Sequence, residues 1–282
     1  MVTKARELIR QTAARLRPVC GESAEFEARL LAERFLGCRP YSAQNDVVDP
    51  AACALFEQMV QKRLSGQPLQ YLLGEWEFYS LPFAVGEGVL IPRPDTETLV
   101  EKALALLDGQ TAPRVLDLCS GSGCVAISIA HERPDARVTA VELYDPAFAY
   151  LQKNIALNRC GNVTAVRADV LADPGEGQGP FDLIVANPPY IPTVQLAGLQ
   201  KEVQHEPASA LDGEEDGLVF YRVICTRWAG LLSEKGAMAV EIGFDQADAV
   251  GRLMEQSFHK VEKVRDLGGK HRVIIGTVPV RD

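Results

Sequence analysis

The 282-residue chain has no apolar run approaching the ~18 residues that a membrane-spanning helix requires, so no membrane segment is expected. Its cysteines lack any useful pattern. The seven (Cys20, Cys38, Cys53, Cys119, Cys124, Cys160 and Cys225) form no Cys-x-x-Cys pair and have no histidine at metal-ligand spacing. That argues against a disulfide framework and against a zinc site; no metal is expected, and the thiols read as reduced, in a cytoplasmic setting. Excess positive charge is lacking too. A formal net charge of −9 argues against non-specific binding of nucleic acid or of an anionic membrane, though it does not bear on a local basic patch. No internal repeat at solenoid periods is visible. What remains is 47% hydrophobic and 24% charged, the ordinary range for a soluble globular chain of one or two domains.

The first residues, with Lys4, Arg6, Arg10, Arg15 and Arg17, resemble an organelle transit peptide in charge. Leu8, Ile9, Thr12, Ala13 and Leu16 nevertheless follow helical spacing, and Glu7 interrupts the positive run, which favours a first structural helix. Residues 1–70 read as a small helical bundle. Ser23 is placed to cap a helix with Phe26, Leu30, Leu31 and Phe35 on its apolar face, ended by Gly37. Asp49-Pro50 opens another, with Leu55, Phe56, Met59, Val60 and Leu64 as its stripe. Ten basic residues against eight acids give this segment +2 and leave −11 for the rest, which suits a protein-docking module better than a DNA clamp; plain structural support is the alternative.

Residues 71–95 mix aromatics with Gly and Pro as a hairpin-like connector would, and Asp95 or Thr96 is placed to cap a helix bearing Leu99, Val100, Ala103 and Leu106 or Leu107. Over 96–282 strand and helix alternate. Strands are predicted at 115–118, 137–142, 163–167, 181–186, 237–242, 260–266 and 272–278, with helices at 123–130, 146–157, 217–232 and 246–256. Such alternation predicts an α/β fold: a doubly wound, mostly parallel seven-stranded sheet, ending in an antiparallel hairpin.

Two loops at strand ends carry the chemistry. Cys119-Ser120-Gly121-Ser122-Gly123 joins the first strand to its helix, and Gly121-x-Gly123-x-x-Ala126 satisfies a dinucleotide fingerprint, with Glu142 ending the next strand about 20 residues on. Glycines there admit a nucleoside close to the backbone, and Glu142 is placed to accept from ribose hydroxyls. The loop by itself does not separate a nicotinamide cofactor from S-adenosylmethionine. Asp117 before it suits a cationic cofactor better than a pyrophosphate, with a helix-capping or buried hydrogen-bonded acid as the alternative. Asp169, after the third strand, is placed to accept from an adenine amino group, or is simply a loop acid. The second loop is Asn187-Pro188-Pro189-Tyr190, directly after the apolar run 181–186. Two prolines stop regular hydrogen bonding and leave an amide, free carbonyls and a ring at the mouth of a sheet; an ordinary strand-ending turn has the same composition.

These motifs resemble the class I, Rossmann-like methyltransferases with an Asn-Pro-Pro-Tyr turn, and more closely the HemK-type (PrmC) glutamine-N5 methyltransferases of peptide-chain release factors. The resemblance covers nearly the whole chain. Residues 67–74 and 90–97 look like that family's connector, 115–123 like its cofactor motif, and 205–207 with 210–218 like the segment behind its catalytic loop. The family usually has Gly-Thr where this chain has Cys119-Ser120, and Asp is commoner where Val219 stands. The resemblance implies S-adenosylmethionine at Asp117, Cys119, Ser120, Gly121, Ser122, Gly123, Glu142, Asp169, Val170 and Asn187, and substrate at Asn187, Pro188, Pro189 and Tyr190. It implies methyl transfer to the glutamine of a Gly-Gly-Gln motif in release factors, with no direct nucleic-acid or membrane partner. A carboxamide nitrogen is a poor nucleophile. The Asn187 oxygen and the Pro188 carbonyl would bind its two N–H groups and stabilise developing positive charge, with Tyr190 packed on the planar amide and no base required. The same acceptors suit an adenine amino group, so adenine-N6 methylation of DNA or RNA, methylation of another protein glutamine, and cofactor binding without catalysis are the competing readings.

Overall fold

The structure, a computed structural model, describes residues 5–37, 48–172 and 179–280; Lys4 and Cys38 lie outside them. The chain divides into two compact units, one containing the residues up to Glu75 with Gln200–His205, the other Trp76–Leu199 with Glu206 onward.

The first unit is helical: α1 (Ala5–Cys20), α2 (Ala24–Leu36), α3 (Pro50–Leu64) and the short α4 (Leu69–Leu73). Asp49 caps α3 as its composition predicts, accepting from the Ala52 amide at 3.1 Å, with Pro50 at the first helical position. Gly37, in the left-handed region at φ 67°, ends α2. Ser23 does not cap α2. Its backbone is already helical, and its hydroxyl lies 2.9 Å from both the Cys20 carbonyl and the Glu27 carboxylate. The buried stripe of α2 is Ala24, Glu27, Ala28, Leu31 and Ala32, which leaves Phe26 on the far side and 57% exposed. Leu55 of α3 is exposed as well, while Phe56, Met59 and Val60 are buried. Arg63 is buried between Glu27 at 2.6 Å and Glu202 at 2.5 Å, so this cation is desolvated only in company with two carboxylates.

A hairpin follows, β1 (Glu75–Phe78) and β2 (Leu81–Ala84), from Trp76 on part of the second unit and turned by Tyr79 and Ser80, both at positive φ as the hairpin twist demands. Next come α5 (Glu97–Leu106), β3 (Arg114–Leu118), α6 (Cys124–Glu132), β4 (Arg137–Glu142), α7 (Asp145–Leu157), β5 (Val163–Arg167) and β6 (Phe181–Ala186). The chain continues through α8 (Thr193–Leu196), α9 (Val219–Ile224), β7 (Leu232–Glu241), α10 (Ala247–Met254), β8 (Phe258–Arg265) and β9 (His271–Pro279). The seven strands β3–β9 form one sheet in the order β5-β4-β3-β6-β7-β9-β8, parallel except where β9 pairs antiparallel with β7 and β8. The order reverses at β3, which has β4 on one side and β6 on the other. Connections leaving the carboxyl ends of β3 and β6 therefore part and open a crevice between them.

Strand alternation sends Val115, Leu183, Val185 and Ala239 to one face, under α5, α6 and α7. Leu116, Ile184, Met238 and Val240 go to the other, against Tyr221, Ile224, Trp228 and α10. The helix expected at 217–232 is broken: α9 is followed by a 3-10 turn at Trp228–Leu231, and β7 begins at Leu232, five residues before its expected start. A tertiary bond explains the break, since the Trp228 indole N–H donates to the Val170 carbonyl at 2.9 Å. Neither proposed cap of α5 acts as one. Pro94–Thr96 is itself a 3-10 turn, and the Thr96 side chain makes no capping bond.

Candidate active site

The cofactor loop and the Asn187 turn meet because of strand register. Leu118 pairs with both Val141 and Ala186, so Cys119, Glu142 and Asn187 each leave the sheet at the same level. All the residues expected at the cofactor line one cleft except Gly123, which caps α6 immediately behind it. Gly123 sits at φ 82°, and a Cβ there would lie 2.5 Å from a methyl of Leu151, so the turn into α6 needs glycine. Cys119 also has a positive φ of 58°, a conformation glycine adopts more cheaply.

Hydrogen bonds hold this loop throughout. The Ser120 amide donates to the Val141 carbonyl and the Ser120 hydroxyl to the Asp117 carbonyl, each at 2.9 Å. The buried Asn154 amide donates to the Ser122 carbonyl at 2.9 Å. Glu142 accepts the backbone N–H groups of Gly121, Leu143 and Tyr144, each at 2.9 Å, so it braces the loop while facing the cleft. Asp117 is 1% exposed and accepts from the Ala126 amide at 3.2 Å, the buried hydrogen-bonded acid that its position in the strand allowed. Burial raises its carboxyl to about 7, against the lowering effect of Ser120 and Ala126. Burial likewise raises the Cys124 thiol to about 12 and the Cys119 thiol well above its ordinary value, so neither is a nucleophile. Asp169 is exposed and accepts from the Leu171 amide at 2.8 Å, and Val170 is buried.

At the second loop Pro188 and Pro189 are buried, and Asn187 and Tyr190 half-buried. Distant segments fix it. The Gln246 amide donates to the Tyr190 carbonyl at 3.0 Å and accepts from the Gly243 amide at 3.0 Å. Ile191 and Gly213 exchange bonds with the 211–213 segment: the Ile191 amide donates to Leu211 at 2.9 Å, and the Gly213 amide donates to Ile191 at 2.8 Å. Gly217 sits so close that a Cβ would fall 2.3 Å from the Tyr190 carbonyl oxygen. The Asn187 side-chain N–H donates to the Thr96 hydroxyl at 3.3 Å. Burial lifts the Tyr190 phenol to about 12, so it stays neutral and cannot serve as a base near neutral pH. Glu206, 5% exposed, accepts from the Ile91 amide at 2.9 Å and pairs with Arg93. Thr96, Glu206, Glu241 and Gln246 were not singled out as site residues from sequence. Glu206 and Thr96 did lie in segments, 205–207 and 90–97, that resemble the family's; Glu241 and Gln246 carried no signal.

The cleft holds Asp117, Glu142 and Asp169, and among the described residues its one Arg or Lys, Arg93, is already paired with Glu206. Such walls disfavour a pyrophosphate and fit a ligand with a positive centre, a ribose and an adenine. A buried carboxyl forced up to about 7 is relieved by a bound cation. Fold and cleft together define a class I methyltransferase with S-adenosylmethionine as its methyl donor. Residues 96–212 match the Methyltransferase small domain family, and residues 7–74 match the PrmC N-terminal domain. The chain is 42% identical over 252 residues to the release factor glutamine methyltransferase of Bordetella pertussis, covering 88% of this chain and 93% of that one. It is 43% identical over 229 residues to the protein of the same name from Moorella thermoacetica, 80% of each chain. Among solved structures, the hMettl16 catalytic domain in complex with the MAT2A 3′UTR hairpin 6 shares the fold at TM-score 0.56 and 17% identity, covering 82% of each chain. The chain belongs to the release factor glutamine methyltransferase family.

Proposed function

We propose that this protein methylates the side-chain amide N5 of the glutamine in the Gly-Gly-Gln motif of peptide-chain release factors. The observation that carries this reading is that Asn187, heading the Asn-Pro-Pro-Tyr turn, lines the same acidic cleft as the residues expected at the cofactor, with Tyr190 held neutral. Bound S-adenosylmethionine supplies an electrophilic methyl carbon on a sulfonium sulfur, and the exchange turns the amide NH2 into NH(CH3) with release of one proton. Asp117 would hold the cationic end, Glu142 the ribose and Asp169 the adenine, with Val170 and the 119–123 loop against the cofactor. The Asn187 oxygen and the Pro188 carbonyl each accept one N–H of the glutamine, which points its nitrogen lone pair at the methyl group and stabilises the charge that grows there. Tyr190 and Pro189 pack on the planar amide. A glutamate carboxylate has no N–H to offer and is repelled by the same acceptors, which gives amide selectivity.

Residues 1–70 would dock the protein substrate, 71–95 connect, and 96–282 carry out the transfer in the cytoplasm, without direct nucleic-acid or membrane contact. Supporting this are the net charge of −9 and the absence, among the described residues, of any helix long and apolar enough to cross a membrane. The test presents methyl-labelled cofactor with purified release factors, DNA and tRNA in parallel. Label is expected in the release factors. Label confined to DNA or tRNA would overturn the proposal in favour of adenine methylation.

A further inference from the structure

A carboxamide is two-faced: its oxygen accepts and its NH2 donates. Asn187 serves the proposed reaction only if the oxygen faces the substrate, so something has to choose the orientation. The choice is made behind the turn. The Asn187 NH2 meets the Thr96 hydroxyl at 3.3 Å, and Thr96, 1% exposed, also hydrogen-bonds the Glu241 carboxylate. A hydroxyl has one hydrogen. With that hydrogen on a carboxylate, Thr96 shows Asn187 only lone pairs, so the NH2 must face Thr96 and the oxygen is left for the cleft.

Register brings these residues together. Ala186 pairs with Val240, so Asn187 and Glu241 follow as neighbours at the ends of β6 and β7. Alternation places both on the face covered by α5, at whose start Thr96 stands. Glu241 is 2% exposed, and its second oxygen has no hydrogen-bond partner. A buried, half-satisfied acid costs stability.

We infer that Thr96 and Glu241 are positioning residues for methyl transfer: the Glu241 carboxylate holds the Thr96 hydrogen, and Thr96 in turn holds the Asn187 NH2 so that its oxygen meets the substrate amide. This rests on the proposed role of Asn187 as an acceptor. Burial raises Glu241 to about 7. Above that pH the ionised carboxylate sets the relay. Below it, a protonated Glu241 donates to Thr96, whose hydrogen then turns to Asn187 and reverses the amide. The charged groups facing Glu241 are Arg272, Asp95 and Arg93; Tyr190, Tyr221 and Cys124 also surround it and lose their protons well above this range.

The experiment compares wild type with Thr96→Val, Thr96→Ser, Glu241→Gln and Asn187→Ala. It measures kcat and KM with a purified release factor at saturating cofactor, and the cofactor Kd by calorimetry. Thr96→Val is expected to lower kcat by about tenfold with cofactor Kd unchanged, and Thr96→Ser to restore most of it. Wild-type kcat should fall as pH drops through about 7, and Glu241→Gln should flatten that limb. Wild-type kcat in Thr96→Val, no rescue by Thr96→Ser, or the same limb surviving in Glu241→Gln would overturn the inference. If Asn187→Ala is inactive while Thr96→Val is normal, only the relay fails. An active Asn187→Ala would instead remove the acceptor reading itself.

Discussion

The two halves of the cleft are built in different ways. The cofactor loop is held almost entirely by close structural neighbours in β3, β4, α6 and α7, with Glu142 alone accepting three backbone N–H groups. The Asn187 turn depends on Thr96, Gly213, Gly217, Glu241 and Gln246, which come from four separate stretches of chain. A binding site for a common cofactor can be written into one strand–loop–helix unit. A site that must orient a weak nucleophile is assembled from the ends of several elements, because orientation needs constraints from several directions.

Substitutions should separate the halves. The largest effect is expected from Asn187→Ala, which removes the acceptor proposed for the reacting amide: kcat should drop by about a hundred- to a thousandfold while the cofactor Kd, read by calorimetry, holds. A comparable loss of cofactor affinity would mean that the halves are one. Asp117→Asn should do the reverse, weakening cofactor binding by roughly ten- to a hundredfold at pH 8 with a smaller effect on kcat at saturation.

Asp117 also makes a prediction about pH. Its folded-state value of about 7 lies above its ordinary 3.8, so between those values the cofactor-free protein holds more protons folded than unfolded. Its stability therefore falls as pH rises through that window and levels off above about 7, and Glu241, raised from 4.5 to about 7, acts in the same direction. Asp117→Asn should accordingly have a higher Tm than wild type at pH 8, with the gap narrowing by pH 5. An equal gap at both values would mean that the carboxyl titrates normally.

Gly217→Ala should disturb the substrate half alone. Its Cβ would fall 2.3 Å from the Tyr190 carbonyl oxygen at φ 74°, so the turn must shift, and kcat should fall by about tenfold with cofactor Kd little changed. Unaltered kinetics would show that the turn tolerates displacement. The smallest effect is expected at Cys119→Gly. Relief of the left-handed conformation, about 1 kcal/mol, is nearly offset by the greater unfolded-state entropy of glycine, about 0.5–1 kcal/mol. Denaturant unfolding should find the change within about 1 kcal/mol, and a larger gain would mark Cys119 as strained.

Much of this was legible along the chain. The seven strands of the large sheet lie where alternating and apolar runs place them, apart from a few residues at their ends, and Asp49-Pro50 opens α3 as its composition predicts. Local readings failed where distant contacts overrode them. Ser23 has the chemistry of a cap but turns to the Glu27 carboxylate. The stretch 217–232 has helical composition, yet Trp228 is drawn to Val170 and the helix stops at Ile224. Thr96 reads as a cap and is engaged instead by Asn187 and Glu241.

By itself, then, the order of residues determined the periods of strand and helix, the glycines that admit a nucleotide-like ligand, and the proline-stiffened turn that ends β6, since each depends on backbone preferences within a few residues. Only the tertiary structure decided which buried acid stands behind Asn187, which glycines press on Tyr190, and which way the amide faces. Those follow from strand register and from packing across the sheet, which join residues up to 145 positions apart, Thr96 and Glu241, and leave no mark in either one's neighbours.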